Sequence, residues 1–265
     1  MKSILVPVGS SKNAVNHLQY AVDFAAMFGA KVYVVQIYNV YTKAGTIKKV
    51  GPILERESLN FLKEHVAKVD NKGVDIIIKS FKGKLVDTLE LICKTWEIDL
   101  MILEPRTNSV KEHLYLGPTS GKIVKQTDIP LLIVPENFTF KPINTILVAL
   151  KRATITKEGV LTPLQQIQKK FSAVVSMLLV KTSYYEEGDF DLNDDWKAMV
   201  SDTTKVEIPT TFQAVLEYHR EIQPDLLCVV RRKRGFFTKL WEKNTILKKD
   251  FHSSSMPVLV LSGLR

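Results

Sequence analysis

The stretch DLMILEPRTNSVKEHLYLGPTSGKIVKQTDIPLLIVP, Asp99–Pro135, decides how the rest of the chain is read. It opens on the apolar run Leu100–Leu103 and closes on a second, Leu131–Val134, each of a length suited to a buried strand. Between them lie a polar loop, Gly117 and a segment with the composition of a helix. Strands buried on both faces read as continuous apolar runs, and they belong to parallel sheets covered by helices. A loop that leaves such a strand and feeds a helix is where open α/β sheets hold phosphates. The same grammar returns as DLLCVVRRKRGFFTKLWEKNTILKKDFHSSSMPVLVL, Asp225–Leu261. These two loops are the candidate binding regions.

Working outward, Ser3–Val8 reads as a buried strand and Ser10 or Ser11 as the cap of a helix. That helix carries Val15, Leu18, Ala21, Val22 and Ala25 on one face and ends at Phe28-Gly29-Ala30. Strands over Lys31–Tyr38 and Val74–Phe81 alternate with helices over about Ile53–Val69 and Leu85–Trp96. The order β-α-β-α-β-α-β-α-β predicts a doubly wound parallel sheet.

After Glu136–Pro142, which reads as a linker, the pattern restarts. Ile143–Leu150 repeats Ser3–Val8, Phe171-Ser172-Ala173 repeats Phe28-Gly29-Ala30, and a strand follows at Val174–Lys181. Asp225–Val229 repeats Asp99–Leu103, and Met256–Val260 repeats Ile129–Ile133. The offset stays between about 126 and 143 residues, so the order is kept and gaps are small. This is an internal duplication, with copies over 1–138 and 143–265.

The second copy is diverged, being short of a full helix before its third strand at Lys205–Ile208. In its middle Glu186, Glu187, Asp189, Asp191, Asp194 and Asp195 crowd together. The spacing of 189, 191 and 195 has an echo of a calcium loop. The glycine precedes the acids and no glutamate closes the run, so a solvated acidic loop or short helix is expected.

Composition narrows the class. At 265 residues the chain suits two domains of ordinary size, and no run of about 18 apolar residues predicts a membrane span. The start, MKSILVPVGSS, enters a strand without the apolar core of a signal peptide. Cys93 and Cys228 are isolated in apolar surroundings, pointing to buried thiols and a cytoplasmic setting. The net charge of +9 admits a nucleic-acid or acidic-membrane partner, or simply a basic soluble protein. No zinc-finger or RNP-type pattern supports the first two.

With the repeat in hand, ILVPV, the FGA before the second strand, the DL-strand and the terminal IPLLIVP resemble the universal stress protein family. The resemblance runs through both copies and identifies the chain as a tandem member. It implies two flavodoxin-like (adenine-nucleotide-hydrolase-like) doubly wound sheets in tandem, packed as a pseudo-dimer through their final strands, with further homodimerisation optional. It also implies a non-catalytic role and a site for ATP or a related nucleotide. The family motif is Gly, two residues, Gly, nine residues, Gly and then Ser or Thr. Its positions here are Glu104, Thr107, Gly117 and Pro118, of which only Gly117 matches. The aspartate that follows the first strand in ATP-binding members is replaced by Gly9.

The expected site residues are therefore Gly9, Arg106, Thr107, Gly117, Thr119 and Ser120, for a small anionic ligand at a degenerate nucleotide site. In the second copy the motif positions are Val230, Lys233, Lys243 and Asn244, with no glycine. The alternative is an interaction or scaffold protein whose two sites have both decayed, with no certain cofactor and a protein partner not readable from the sequence.

Arg231, Arg232, Lys233 and Arg234, followed by Phe236, Phe237 and Trp241, form a second candidate for an anionic ligand or acidic partner. The acidic run at 186–195 is a possible internal counterion for it. His17, His65, His113, His219 and His252 form no metal spacing, and no nucleophile elbow or Walker loop is present. His17 and His65 are expected at helix surfaces or boundaries, and His113 in the first loop.

Overall fold

The continuous apolar runs become strands buried along their length, as at Leu100–Leu103, Leu131–Ile133 and Val258–Leu261. A computed structural model describes residues 1–39, 50–105, 114–116, 118–155, 157–208, 211–231, 246–247 and 256–262. The chain divides into two compact units, Met1–Glu104 with Glu136–Phe140, and Pro105–Pro135 with Lys141–Arg265.

In the first unit the chain runs β1 (Ser3–Pro7), α1 (Ala14–Phe28), β2 (Lys31–Tyr38), α2 (Val50–Val66), β3 (Ile76–Lys82), α3 (Leu85–Thr95) and β4 (Leu100–Leu103). The strands are parallel in the order β3-β2-β1-β4, with Ile4 opposite Val32 and Leu100. Ile4, Leu5, Val34, Leu100, Met101 and Ile102 are fully buried at the sheet's centre. Helix α1 stops at Gly29, whose φ of 62° is open to glycine at no steric cost. It begins after Asn13, so neither Ser10 nor Ser11 is its cap; the Ser11 hydroxyl instead accepts the Asn13 N–H at 3.1 Å in the turn that precedes the helix.

The stretch 136–142, expected as a plain linker, is docked instead. Phe140 meets Tyr20 edge-on at 5.6 Å and Phe24 at 6.2 Å, Phe138 lies 6.0 Å from Tyr20, and the Asn137 N–H donates to Asn13 Oδ1. Two aromatic side chains have too much apolar area to leave in water when an apolar helix face lies within reach.

The second unit holds β5 (Leu114–Leu116), α4 (Pro118–Gln126), β6 (Leu131–Ile133), β7 (Thr145–Leu150), α5 (Thr162–Phe171) and β8 (Val174–Lys181). It continues with α6 (Asp194–Met199), β9 (Asp202–Glu207), α7 (Thr211–Ile222), β10 (Leu226–Arg231), β11 (Ile246–Leu247) and β12 (Val258–Ser262). Its main sheet has the order β6-β12-β10-β7-β8-β9. All neighbours run parallel except β6 and β12, which are antiparallel with Leu132 opposite Leu259. The two final strands of the repeat therefore pair, as expected, and carry Pro105–Pro135 into this unit. A separate antiparallel ribbon joins β5 to β11. The missing helix of the second copy is reduced to the six residues of α6.

Candidate functional site

In a doubly wound sheet, ligands sit outside the carboxyl ends of the strands where the order reverses. In the first unit that point lies between β1 and β4. Gly9 is buried just beyond β1, and the β1–β4 register, continued, sets Val8 across from Glu104. Glu104 is only 4% exposed. A glycine there lets backbone approach an anion; a buried carboxylate instead repels one.

His17 of α1 packs against β4, and here the expectation of a surface or boundary position is wrong. It is 2% exposed, and its Nε2 lies 3.4 Å from the Ile102 carbonyl, donating to it. The signal was available: His17 stands three residues after Ala14 and four before Ala21, on the apolar face of the helix. His65 does sit at a boundary, donating from Nδ1 to the Phe61 carbonyl at 2.7 Å.

Thr119 and Ser120 occupy the first turn of α4, in the second unit, with Ser120 buried and Thr119 half-buried. Arg106, Thr107, His113 and Gly117 lie outside the described residues. So do Arg232, Lys233, Arg234, Lys243 and Asn244, while Arg231 ends β10. Of the expected set, Gly9 lies at this edge of the first unit, beside the motif position Glu104, which is not a member of the set.

The corresponding edge of the second copy, beyond β7, is occupied by the chain itself. Arg152 Nε lies 3.0 Å from Asp189 Oδ1, and Arg152 Nη2 lies 2.9 Å from a Glu186 carboxylate oxygen. The Ala153 N–H donates to the Asp189 carbonyl at 2.7 Å. The Ala153 carbonyl in turn accepts the Trp196 indole N–H at 2.8 Å, with the indole fully buried. The acidic run was expected to be solvated, and Glu187, Asp191, Asp194 and Asp195 are exposed. Asp189 departs from this, being 6% exposed, because its carboxylate also accepts the Glu186 N–H and meets a guanidinium. Its counterion among the described residues is Arg152; the basic loop expected as a possible counterion lies outside them beyond Arg231.

Trp196 is not marked by any motif of its own, though Asn193-Asp194-Asp195 before it is a helix-start signal. Asn193 Oδ1 caps α6 by accepting the Trp196 backbone N–H at 3.0 Å. Among the described residues no group of His, Cys, Asp and Glu is placed to hold a metal. No described helix is long and apolar enough to cross a membrane.

Residues 1–135 match the model of the universal stress protein family. A universal stress protein of Methanocaldococcus jannaschii is 21% identical over 138 residues, covering 50% of this chain and 81% of that protein. The crystal structure of a universal stress protein from Archaeoglobus fulgidus superposes with a TM-score of 0.66 at 18% identity, covering 98% of this chain and 96% of its own. A functionally unknown protein from Pseudomonas aeruginosa superposes with a TM-score of 0.60 at 14% identity, covering 99% of this chain and 93% of its own. At these identities the structural likeness speaks for the fold, and it extends over both copies.

Proposed function

We propose that this chain, which belongs to the universal stress protein family, is a non-catalytic cytoplasmic stress-response protein that carries a small anionic ligand at one degenerate nucleotide site. The site is assigned to the first copy, 1–138, with Gly9, Arg106, Thr107, Gly117, Thr119 and Ser120 as its residues by sequence position; the second copy is assigned to 143–265. The observation that carries the reading is the buried Glu104 at the exit of β4. A carboxylate about 4 Å from a phosphate costs on the order of 1–4 kcal/mol at surface-like to aqueous screening. A polyphosphate is therefore disfavoured beside Glu104, and a smaller anion is the better fit.

A second reading is a scaffold in which neither copy binds a nucleotide. It is favoured by Arg152, whose guanidinium is engaged by Glu186 and Asp189. Native mass spectrometry of the purified chain separates the two by showing whether a small anion travels with it. Calorimetric titration with Mg-ATP should give no binding, or binding far weaker than about 1 μM. A dissociation constant at or below that value would overturn both readings.

A further inference from the structure

We propose that the second copy contains a latent anion site, built from Arg152 and the Ala153 N–H, which the segment 186–189 fills as a built-in pseudo-ligand. The site goes beyond the first-copy reading and does not depend on it.

The geometry is that of a small oxyanion complex made within one chain. Arg152 presents its guanidinium along two directions, Nε to Asp189 at 3.0 Å and Nη2 to Glu186 at 2.9 Å. That fork matches the oxygen spacing of a phosphate as well as it matches carboxylates. Two carboxylates bring two negative charges to one cation, as a phosphate dianion would. The next residue adds a backbone donor, Ala153 N–H, answered by the Asp189 carbonyl at 2.7 Å. Arg152 and Ala153 follow β7 one residue on, after Lys151, beside the point where the strand order turns between β7 and β10. That is the position at which this class of sheet binds ligands.

The pseudo-ligand is anchored rather than loosely laid over the loop. Asp189 is 6% exposed and its second carboxylate oxygen accepts the Glu186 N–H at 2.9 Å, closing a tight turn. Seven residues on, the buried Trp196 donates to the Ala153 carbonyl, so the loop after β7 is gripped from both its N–H and its C=O. An external phosphate competes with carboxylates that are already in place at high effective concentration, and loses. Removing their charge leaves the Asp189 carbonyl on the Ala153 N–H but should open the guanidinium of the site to a phosphate-sized oxyanion, either inorganic or on a monoester.

The test is a full-length Glu186→Gln/Asp189→Asn variant titrated with inorganic phosphate, with bound phosphate per chain as the readout. The expected result is one phosphate more per chain than the parent binds, at least about tenfold tighter than any phosphate binding of the parent at this loop. Adding Arg152→Gln to the variant should abolish the gained phosphate. Because the quantity is a difference from the parent, a parent that binds no anion at its first copy leaves the expectation unchanged. Glu186 is an exposed side chain, so Glu186→Gln alone keeps the fold if the double variant does not, and should show a smaller gain. A folded variant with no gain, or a gain that survives Arg152→Gln, overturns the proposal.

Discussion

Asp225 and Thr145 clasp each other in both directions: the Asp225 carboxylate accepts the Thr145 N–H at 3.1 Å, while the Asp225 N–H donates to the Thr145 carbonyl at 3.0 Å. Asp99 and Ser3 make the same clasp in the first copy, at 3.0 Å each way. In both copies the aspartate that opens the fourth strand pins the backbone entering the first. The duplication seen as repeated letters is thus a duplicated set of hydrogen bonds.

This clasp should be visible in acid. Burial pushes the Asp225 carboxyl up, but the Lys141 ammonium at 2.7 Å and the N–H groups of Asn144 and Thr145 outweigh it and hold it below its ordinary 3.8. A depressed carboxyl stabilises fully above its unfolded value, and loses that contribution as pH falls through the folded one. Asp225→Asn should therefore cost about 1.5–3 kcal/mol at neutral pH in urea unfolding. The gap from the parent should narrow as pH falls below the ordinary 3.8. A gap that does not change with pH would show that packing, and not charge, sets the loss.

Helix ends offer a gain instead of a loss. Ser172 stands where Gly29 stands in the first copy, in the left-handed region at φ 53°, and it is exposed. Ser172→Gly should raise stability by up to about 1 kcal/mol, since a Cβ is disfavoured in that conformation. Gly29→Ser should lower it by a similar amount, because no atom within 4 Å of a new Cβ obstructs it and only the backbone term is changed. Paired thermal melts of the two variants check both signs.

The thiols should be silent in the native state. Burial, with a smaller contribution from Glu90, pushes Cys93 up to about 12, and burial alone raises Cys228 further. Thiolate is the reacting form. Ellman's reagent at pH 8 should report almost no thiol in the folded chain, and both thiols once it is unfolded in guanidinium. Fast labelling of the folded chain at either cysteine would mean that its strand or helix opens locally.

The sheet was legible because its signals are local. Runs such as Leu100–Leu103 and Leu226–Val230 name a buried strand without reference to anything distant, and Phe28-Gly29-Ala30 names a helix end. The pairing of the two final strands was implied by the family resemblance, and the need to cover an apolar edge is its physical reason. The contents of the sites were less legible, because they depend on contacts between residues far apart in sequence. Nothing near Arg152 announces that a carboxylate 37 positions later will meet it. Trp196 belongs to a helix of six residues, too short for its periodicity to mark an inward face. Phe138 and Phe140 were hidden differently: in a proline-flanked stretch their composition reads as loop, and only the face of α1 they cover reveals their use.

The antiparallel match of Leu131–Ile133 with Val258–Val260 also sets an order of events during synthesis. The earlier strand leaves the ribosome about 125 residues before its partner does. At about 5–20 residues per second that interval is roughly 6–25 s. Throughout it, β6 is an apolar strand without the neighbour it will have in the finished chain. A newborn first half is thus exposed to pairing with the same strand of another nascent chain, and slow or stalled translation past residue 135 would lengthen that exposure.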